Sequence, residues 1–423
     1  MNFYSIKEKL LFYYLPTTLF SLIPIFLITG PFLTDLSVSL ISILFLIYCA
    51  KEKSYIHFKN KYFYFFLFFC FYLVLNSLIN NFNSDSLKIS IFYFRYGVFV
   101  LAIIALLNVI QIFVKYFFYC IFFCFIILIL DGYYQYFVGE NITGYKLPVE
   151  NRVSSFFYGE MILGSYLSRL WPIFFGLSLT LLNKKNKMFY LLILIFVLSE
   201  TLIFLSGDRS AFFYINLSAI FVILFSKNLK KLRMTTLFLS LFLILLISLI
   251  NPNAKERVID KTLYQMNLVD EEKRSQEGIY IFSKQHTSHY KTAYKMFLEN
   301  KILGVGVKNF RIFCNDEKFK INKFSCSTHP HNTYIQILSE TGIIGFLVLM
   351  TVFFTFCKVV LKHLFLKFRG INYLDDFKIC ILSGVLIFLW PLAPTGNVFN
   401  NWLNVIMLLN LPFLFSNLRI EKN

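Results

Sequence analysis

Charge is scarce in this chain. Only 15% of its 423 residues are charged and 57% are hydrophobic. Soluble domains average about 25% charged residues, so a single soluble globular domain is excluded. The same hydrophobicity excludes disorder, which needs a chain too polar to bury a core. Acidic residues are the scarcest: 23 Asp and Glu stand against 41 Lys and Arg, giving a net charge of +18. No internal repeat is evident, which removes the main sequence sign of an inverted-repeat transporter. No CxxC pair is present, so a thiolate metal site of that kind is absent. Tryptophan is rare, with three residues beside 54 Phe and 26 Tyr, a bias to which no function attaches.

Long apolar runs are abundant instead. Twelve fall at about 10–30, 32–50, 62–79, 88–113, 116–137, 161–183, 188–206, 210–226, 234–250, 334–357, 379–396 and 400–417, each near the length that crosses a bilayer as a helix. The first is too long for a cleaved signal peptide. The expected fold is therefore all-α and polytopic, with about twelve transmembrane helices and one large extracytoplasmic loop. Residues 1–250 carry helices 1–9, residues 251–333 the loop with amphipathic helices, and residues 334–423 helices 10–12 and a tail. With the N-terminus inside, the inner segments hold 21 basic residues, whereas the short outer loops 80–88 and 138–160 hold three, Lys88, Lys146 and Arg152. That asymmetry places both termini in the cytoplasm, in agreement with Arg419 and Lys422 at the C-terminal end. The inner segments account for +16 of the +18, so the bulk charge is a topology signal and implies no nucleic-acid partner.

The outer loop carries 14 basic and 9 acidic residues and four of the six histidines. Residues 288–298 show an apolar stripe at Tyr290, Ala293, Tyr294, Phe297 and Leu298, the pattern of an amphipathic helix at the membrane or bundle mouth. Six of the eight cysteines lie in or beside spans as small buried hydrophobes. Cys314 and Cys326 are the two in the loop and are disulfide candidates in an oxidising compartment. Arginine in hydrocarbon is costly and is a functional-site candidate by default. Arg95 lies about 10 Å below the outer end of its span at 1.5 Å per residue, and Arg169 at a similar depth near Pro172. Arg152 and Arg209 sit at the outer surface. Such guanidinium forks suit phosphate oxygens at head-group depth, although Asp131, Glu160, Glu200 and Asp208 are available as ion-pair partners.

The most informative string is Ser327-Thr328-His329-Pro330-His331-Asn332-Thr333-Tyr334, continuing through Glu340, Gly342 and Gly345. Asn332 stands where it can cap the tenth span. An interfacial histidine can serve as a general base. With Gly304, Gly306 and Phe310 upstream, the Ser206-Gly207-Asp208-Arg209-Ser210-Ala211 break and Arg152-Val153-Ser154-Ser155-Phe156-Phe157, the chain over roughly 90–417 resembles the O-antigen ligase/polymerase superfamily, whose fold is C-type glycosyltransferase-like.

The resemblance implies an inverting, metal-independent glycan transfer from undecaprenyl diphosphate to a sugar hydroxyl, with no cofactor, on the periplasmic side of a bacterial inner membrane. The acceptor is lipid A-core for a ligase, the preferred reading, or a second lipid-linked glycan for a polymerase. It also implies that His331 is the base and that Arg209 and Arg152 hold the diphosphate. Arg95, Arg169, His289, Asn332 and Glu340 are expected to contact substrate. Relatives commonly carry an arginine near the start of the amphipathic helix, where this chain reads Gln285-His286-Thr287-Ser288-His289. Either His289 substitutes for it, or Arg274, Lys284 or Lys291 holds the anion. Two alternatives compete with this reading. Zinc held by His286, His289, His329 and His331 with Asp316 or Glu317 has loose spacing. A flippase for lipid-linked sugars fits poorly with one large loop and no charge deep in the inner half of the spans. Asp375-Asp376 reads as a solvated charge pair beside Lys378.

Overall fold

The computed structural model describes residues 6–80, 83–109, 111–147, 152–182, 187–251 and 255–416; Arg419, Lys422 and residues 183–186 of an expected inner connection lie outside that set. The protein is 75% helix without strands among the described residues. Every apolar run forms helix: α1 (Ile6–Thr29), α2 (Pro31–Lys51), α3 (Lys61–Ile79), α4 (Ser84–Phe92), α5 (Arg95–Leu107), α6 (Phe113–Val138), α7 (Leu163–Leu181), α8 (Lys187–Leu205), α9 (Arg209–Phe225) and α10 (Lys230–Ile250). The later elements are α11 (Lys284–Glu299), α12 (Thr333–Phe368), α13 (Asp376–Leu389), α14 (Asn401–Leu408) and α15 (Asn410–Phe415). Eight helices among the described residues are long and apolar enough to cross a membrane, and Arg209–Phe225 and Asn401–Phe415 are shorter apolar helices. The protein is a multi-helix membrane protein.

α7 is the central post. It packs against α13, α9, α8 and α6, and every residue from Tyr166 to Ser178 is buried. Its sequence explains why. Gly164, Ser165, Ser168, Gly176 and Ser178 are the small residues that let membrane helices approach closely; a Cβ on Gly176 would stand 3.0 Å from Cys380 and Phe377 of α13. The same residues keep α7 out of the set of strongly apolar spans. α12 is the opposite case: only 6% of its most apolar window is buried, and Leu347, Phe354, Leu361 and Phe365 project outward. It stands off from the bundle.

Several boundaries differ from the sequence expectation for identifiable reasons. The fourth run is interrupted at Tyr93–Phe94 and ends at Leu107, not at 113. The eleventh stops at Leu389, because Pro391 and Pro394 cannot supply ladder N–H groups, and 390–400 is a non-helical strap with turns at 391–393 and 398–399. α12 continues to Phe368, eleven residues past the expected 357. Arg233, expected in an inner connection, is fully buried. Its Nη1 donates to Glu200 of α8 at 2.5 Å, and its guanidinium lies 4.2 Å over the Trp171 ring. Asp375 is exposed and Asp376 half-buried, in keeping with a solvated pair, and both also serve the backbone: Asp375 caps α13 through Lys378 N, and Asp376 accepts from Lys227 N and Asn228 N at 2.7 and 3.0 Å. On α11 the buried face is Ser288, His289, Thr292, Ala293 and Met296, turned toward α12, while Tyr294 and Leu298 of the expected stripe are exposed.

α12 is broken at Gly342, with φ 63° and ψ −164°, a region essentially closed to other residues. A Cβ there would collide with the Ile302 carbonyl, and one on Gly304 would sit 2.6 Å from the Glu340 and Ser339 backbone. The two glycines let 302–306 lie against the turn, with Val305 N and Gly306 N donating to Ser339 O and Glu340 O at 2.9 Å. Gly342→Ala is expected to cost about 3 kcal/mol from this strain alone, read as a lowered thermal midpoint in detergent.

Candidate functional site

One end of the bundle, formed by the α6–α7, α8–α9 and α10–α12 connections and the 390–400 strap, collects most of the polar groups singled out in the sequence. The α6–α7 connection is held from below by α6. Gln135 Oε1 accepts from Ser154 N and Ser155 N at 2.9 and 2.7 Å, and Asp131 accepts from Ile142 N at 2.8 Å and from the Ser155 hydroxyl. These bonds stabilise a strained segment in which Ser155, Tyr158 and Met161 all have positive φ. Its leading residue, Arg152, donates from Nε to Ser206 O at 3.1 Å.

Ser206 belongs to the α8–α9 turn. Asp208 caps α9 through Ala211 N at 3.0 Å and accepts from Ser165 of α7 at 2.7 Å. Gly207, with φ 64°, is flanked by the stems of Arg152 and Arg257, each of which a Cβ would meet at 3.1 Å. Arg209 opens α9 and donates to Thr262 at 3.1 Å. Three arginines, Arg152, Arg209 and Arg257, therefore meet at one turn. Arg257 was not singled out in the sequence, where it is one cation of fourteen in the loop. Its position beside Gly207 depends on a contact spanning 50 residues, which no periodicity encodes.

The histidine turn faces this cluster. His331 adopts φ 60°, and its Nε2 lies 2.9 Å from the Ser327 hydroxyl. Its ring centroid is 4.1 Å from His329, 5.3 Å from His289 in a stacked arrangement, and 5.4 Å from His286. Burial, reinforced by the other imidazoles, pushes His331 down to about 3. Burial first, then His289 and Arg209, lowers His286 to about 4. Burial likewise lowers His329 to about 4 and depresses His289. All four rings are thus neutral near pH 7, and the field of Arg209 reaches the cluster through His286. His289 Nδ1 is buried with no hydrogen-bond partner.

The strap fixes the turn. Thr395 N donates to His331 O at 2.9 Å, and Thr395 O lies 3.1 Å from His329 Nε2. Asn332 accepts from Tyr334 N and Ile335 N at 3.0 and 3.1 Å, capping α12, and its Nδ2 donates to Pro391 O at 2.7 Å. Cys314 and Cys326 are disulfide-bonded, with Cα atoms 5.0 Å apart, one residue before Ser327. Assigning 390–396 to a span concealed Thr395; Pro391, Pro394 and Gly396 were the available signal.

The remaining residues divide. Arg169 is buried between α7, α9 and α13, 5.3 Å from the Tyr214 ring and 5.6 Å from Phe388, and with Thr333 and Thr395 it lines one end of an apolar cleft of about 780 Å³. Glu340 is fully buried and accepts from Phe310 N at 3.2 Å and Gln336 Nε2 at 3.0 Å. Arg95 pairs with Asp35. Arg274 pairs with Glu271, and Lys284 with Glu277. Among the described residues no group of three or more His, Cys, Asp or Glu is arranged to hold a metal ion, and Asp316 accepts from Lys318 N at 3.1 Å.

Residues 192–350 match the family described as O-antigen ligase, the family whose motifs the histidine string resembles. The match runs from α8 through the loop into α12. No curated protein matches the chain in sequence.

Proposed function

We propose that this chain is an O-antigen ligase, transferring a glycan from undecaprenyl diphosphate to a sugar hydroxyl of lipid A-core on the periplasmic face of the inner membrane. The supporting observation is the juxtaposition of a neutral, buried imidazole cluster with a turn that carries three arginines, next to Thr333 and Thr395, which line an apolar cleft. His331 takes the proton from the acceptor hydroxyl as its oxygen attacks the anomeric carbon. The bond from that carbon to the phosphate oxygen breaks, with inversion, and the electron pair leaves on the diphosphate. Arg209, Arg152 and Arg257 stabilise the leaving anion; fixed donors aimed at developing charge in a water-poor site are among the largest catalytic terms. No nucleotide or metal is required in this scheme, because the diphosphate is itself the leaving group.

The cleft accommodates the lipid half of the donor. It runs from Arg169, Thr333 and Thr395 along α12 to Lys61, Tyr373 and Lys378, between the bundle and the helix that stands off from it. A polyprenyl chain can enter sideways there from the bilayer.

The depressed His331 fixes the sign of the pH dependence. Protonation inactivates a general base, and a lowered pKa moves that protonation to lower pH. The acid limb of kcat/KM, which reports the free enzyme, is expected below about pH 5, not near the ordinary 6.5 of histidine. A bound diphosphate favours the imidazolium, so the limb of kcat is expected at higher pH than that of kcat/KM. A limb of kcat/KM near 6.5 would remove His331 as the buried base.

A deletion strain separates ligase from polymerase. Unmodified lipid A-core with full-length glycan accumulating on the lipid carrier supports the ligase. Lipid A-core bearing single repeats shows a polymerase.

A further inference from the structure

A second, smaller cavity of about 160 Å³ opens where the N-terminal parts of α2 and α5 and the C-terminal half of α4 meet the start of α14. Its walls are aromatic: Phe92, Tyr93, Tyr96 and Phe399. Its polar groups are Asp35, Arg95, Lys88 and Asn401. Tyr96 donates to Asn401 Oδ1 at 3.0 Å and accepts from Arg95 Nη2 at 3.4 Å. Asp35 and Arg95 form an ion pair whose side chains remain 28% and 17% exposed, so the pair faces the cavity and is not sealed in the core. Arg95 Nε is buried without a partner.

Tyr93 and Phe399 also line the large cleft, so the two cavities share a wall. The strap that pins His331 through Thr395 ends at this pocket: Asn397 Oδ1 accepts from Gln336 Nε2 at 2.9 Å, Phe399 forms the shared wall, and Asn401 follows. The catalytic turn and the pocket are thus the two ends of one short segment.

The composition selects a ligand class. Aromatic faces suit the C–H face of a pyranose, while carboxylate, guanidinium and primary amide groups exchange hydrogen bonds with its hydroxyls. An apolar chain would leave these polar groups unsatisfied. An anionic head group would meet the Asp35 carboxylate at close range.

We propose that this pocket binds a sugar ring of the acceptor, holding the acceptor glycan while a neighbouring hydroxyl reaches His331. This rests on the transferase reading above and specifies the acceptor side of the same site. Arg95 then has a positioning role toward a neutral, hydroxylated ligand, with Asp35 and Asn401 as its direct partners.

The test measures steady-state transfer by the full-length protein in detergent, with donor and acceptor varied independently. Asn401→Ala and Asp35→Asn are expected to raise KM for the acceptor at least 10-fold, with KM for the donor and kcat at saturating acceptor within about twofold. Lipid-free core oligosaccharide should compete with acceptor for the parent protein and lose at least 10-fold in potency against the two variants. The exchange Asp35→Arg with Arg95→Asp preserves the ion pair and is expected to keep the parent melting temperature while leaving the acceptor KM raised. Restoration of the parent KM by the exchange would show a purely structural ion pair and overturn the proposal. So would an unchanged acceptor KM in folded Asn401→Ala, or competition by anionic phospholipid vesicles and not by oligosaccharide. If the parent protein transfers nothing in a His331-dependent way, the transferase reading fails first; if it transfers normally and these variants leave the acceptor KM unchanged, only the pocket fails.

Discussion

Replacing His331 with asparagine is expected to reduce glycan transfer by about 10²–10⁴-fold, the range over which general bases act, without loss of the fold. Asparagine is the informative substitution because His331 has φ 60°, and Asn tolerates that backbone region far better than most residues. Alanine would add backbone strain of about 1 kcal/mol to the chemical defect and blur the two. The strap contact from Thr395 N goes to the His331 carbonyl, so it survives the change. The measurement is kcat in detergent alongside the thermal midpoint. A transfer rate within a few-fold of the parent, with an unchanged midpoint, would remove His331 as the base and leave His289, whose Nδ1 is buried and unpartnered, as the imidazole to test.

The second large effect is expected at Arg209. Lysine keeps the charge there but loses the planar fork that grips two phosphate oxygens at once. Arg209→Lys should lower kcat/KM for the lipid-linked donor by about 10²-fold or more, the scale of losing one electrostatic stabiliser of a leaving charge. The geometry gives a reason for a large loss despite the neighbouring cations. Arg152 is anchored to Ser206 O, and the Arg209 field is the one felt at His286, so Arg209 links the arginine-bearing turn to the imidazoles. Unchanged turnover in the lysine variant would make Arg209 a structural partner of Thr262.

Much of the architecture was legible because it depends on local patterns. Each apolar run became helix, and the polar stretch between α10 and α12 carries the site-forming histidines. The Asn332 cap could be read from one residue at a helix entry. Contacts between distant parts of the chain could not. Arg233 and Glu200 are 33 residues apart, and a cation beside a span reads as a topology signal until its partner is known. Arg95 looked like an anion site by depth, yet Asp35 of α2, sixty residues earlier, pairs with it. Glu340 stands in the most informative string of the sequence, and its bond from Phe310 N to the α12 turn joins residues 30 apart. The eleventh run was read through Pro391, Pro394 and Gly396 because hydropathy outweighed the breakers. The strap that orients His331 was hidden by that choice.

The most direct measurement combines purified protein, undecaprenyl-diphosphate-linked glycan and lipid A-core in detergent, where transport between leaflets has no meaning. The expected result is glycosylated lipid A-core with inverted anomeric configuration and release of undecaprenyl diphosphate in equal amount, both lost in His331→Asn. Neither product from a protein that binds the donor, or products undiminished by that substitution, would contradict a transferase built on the histidine turn.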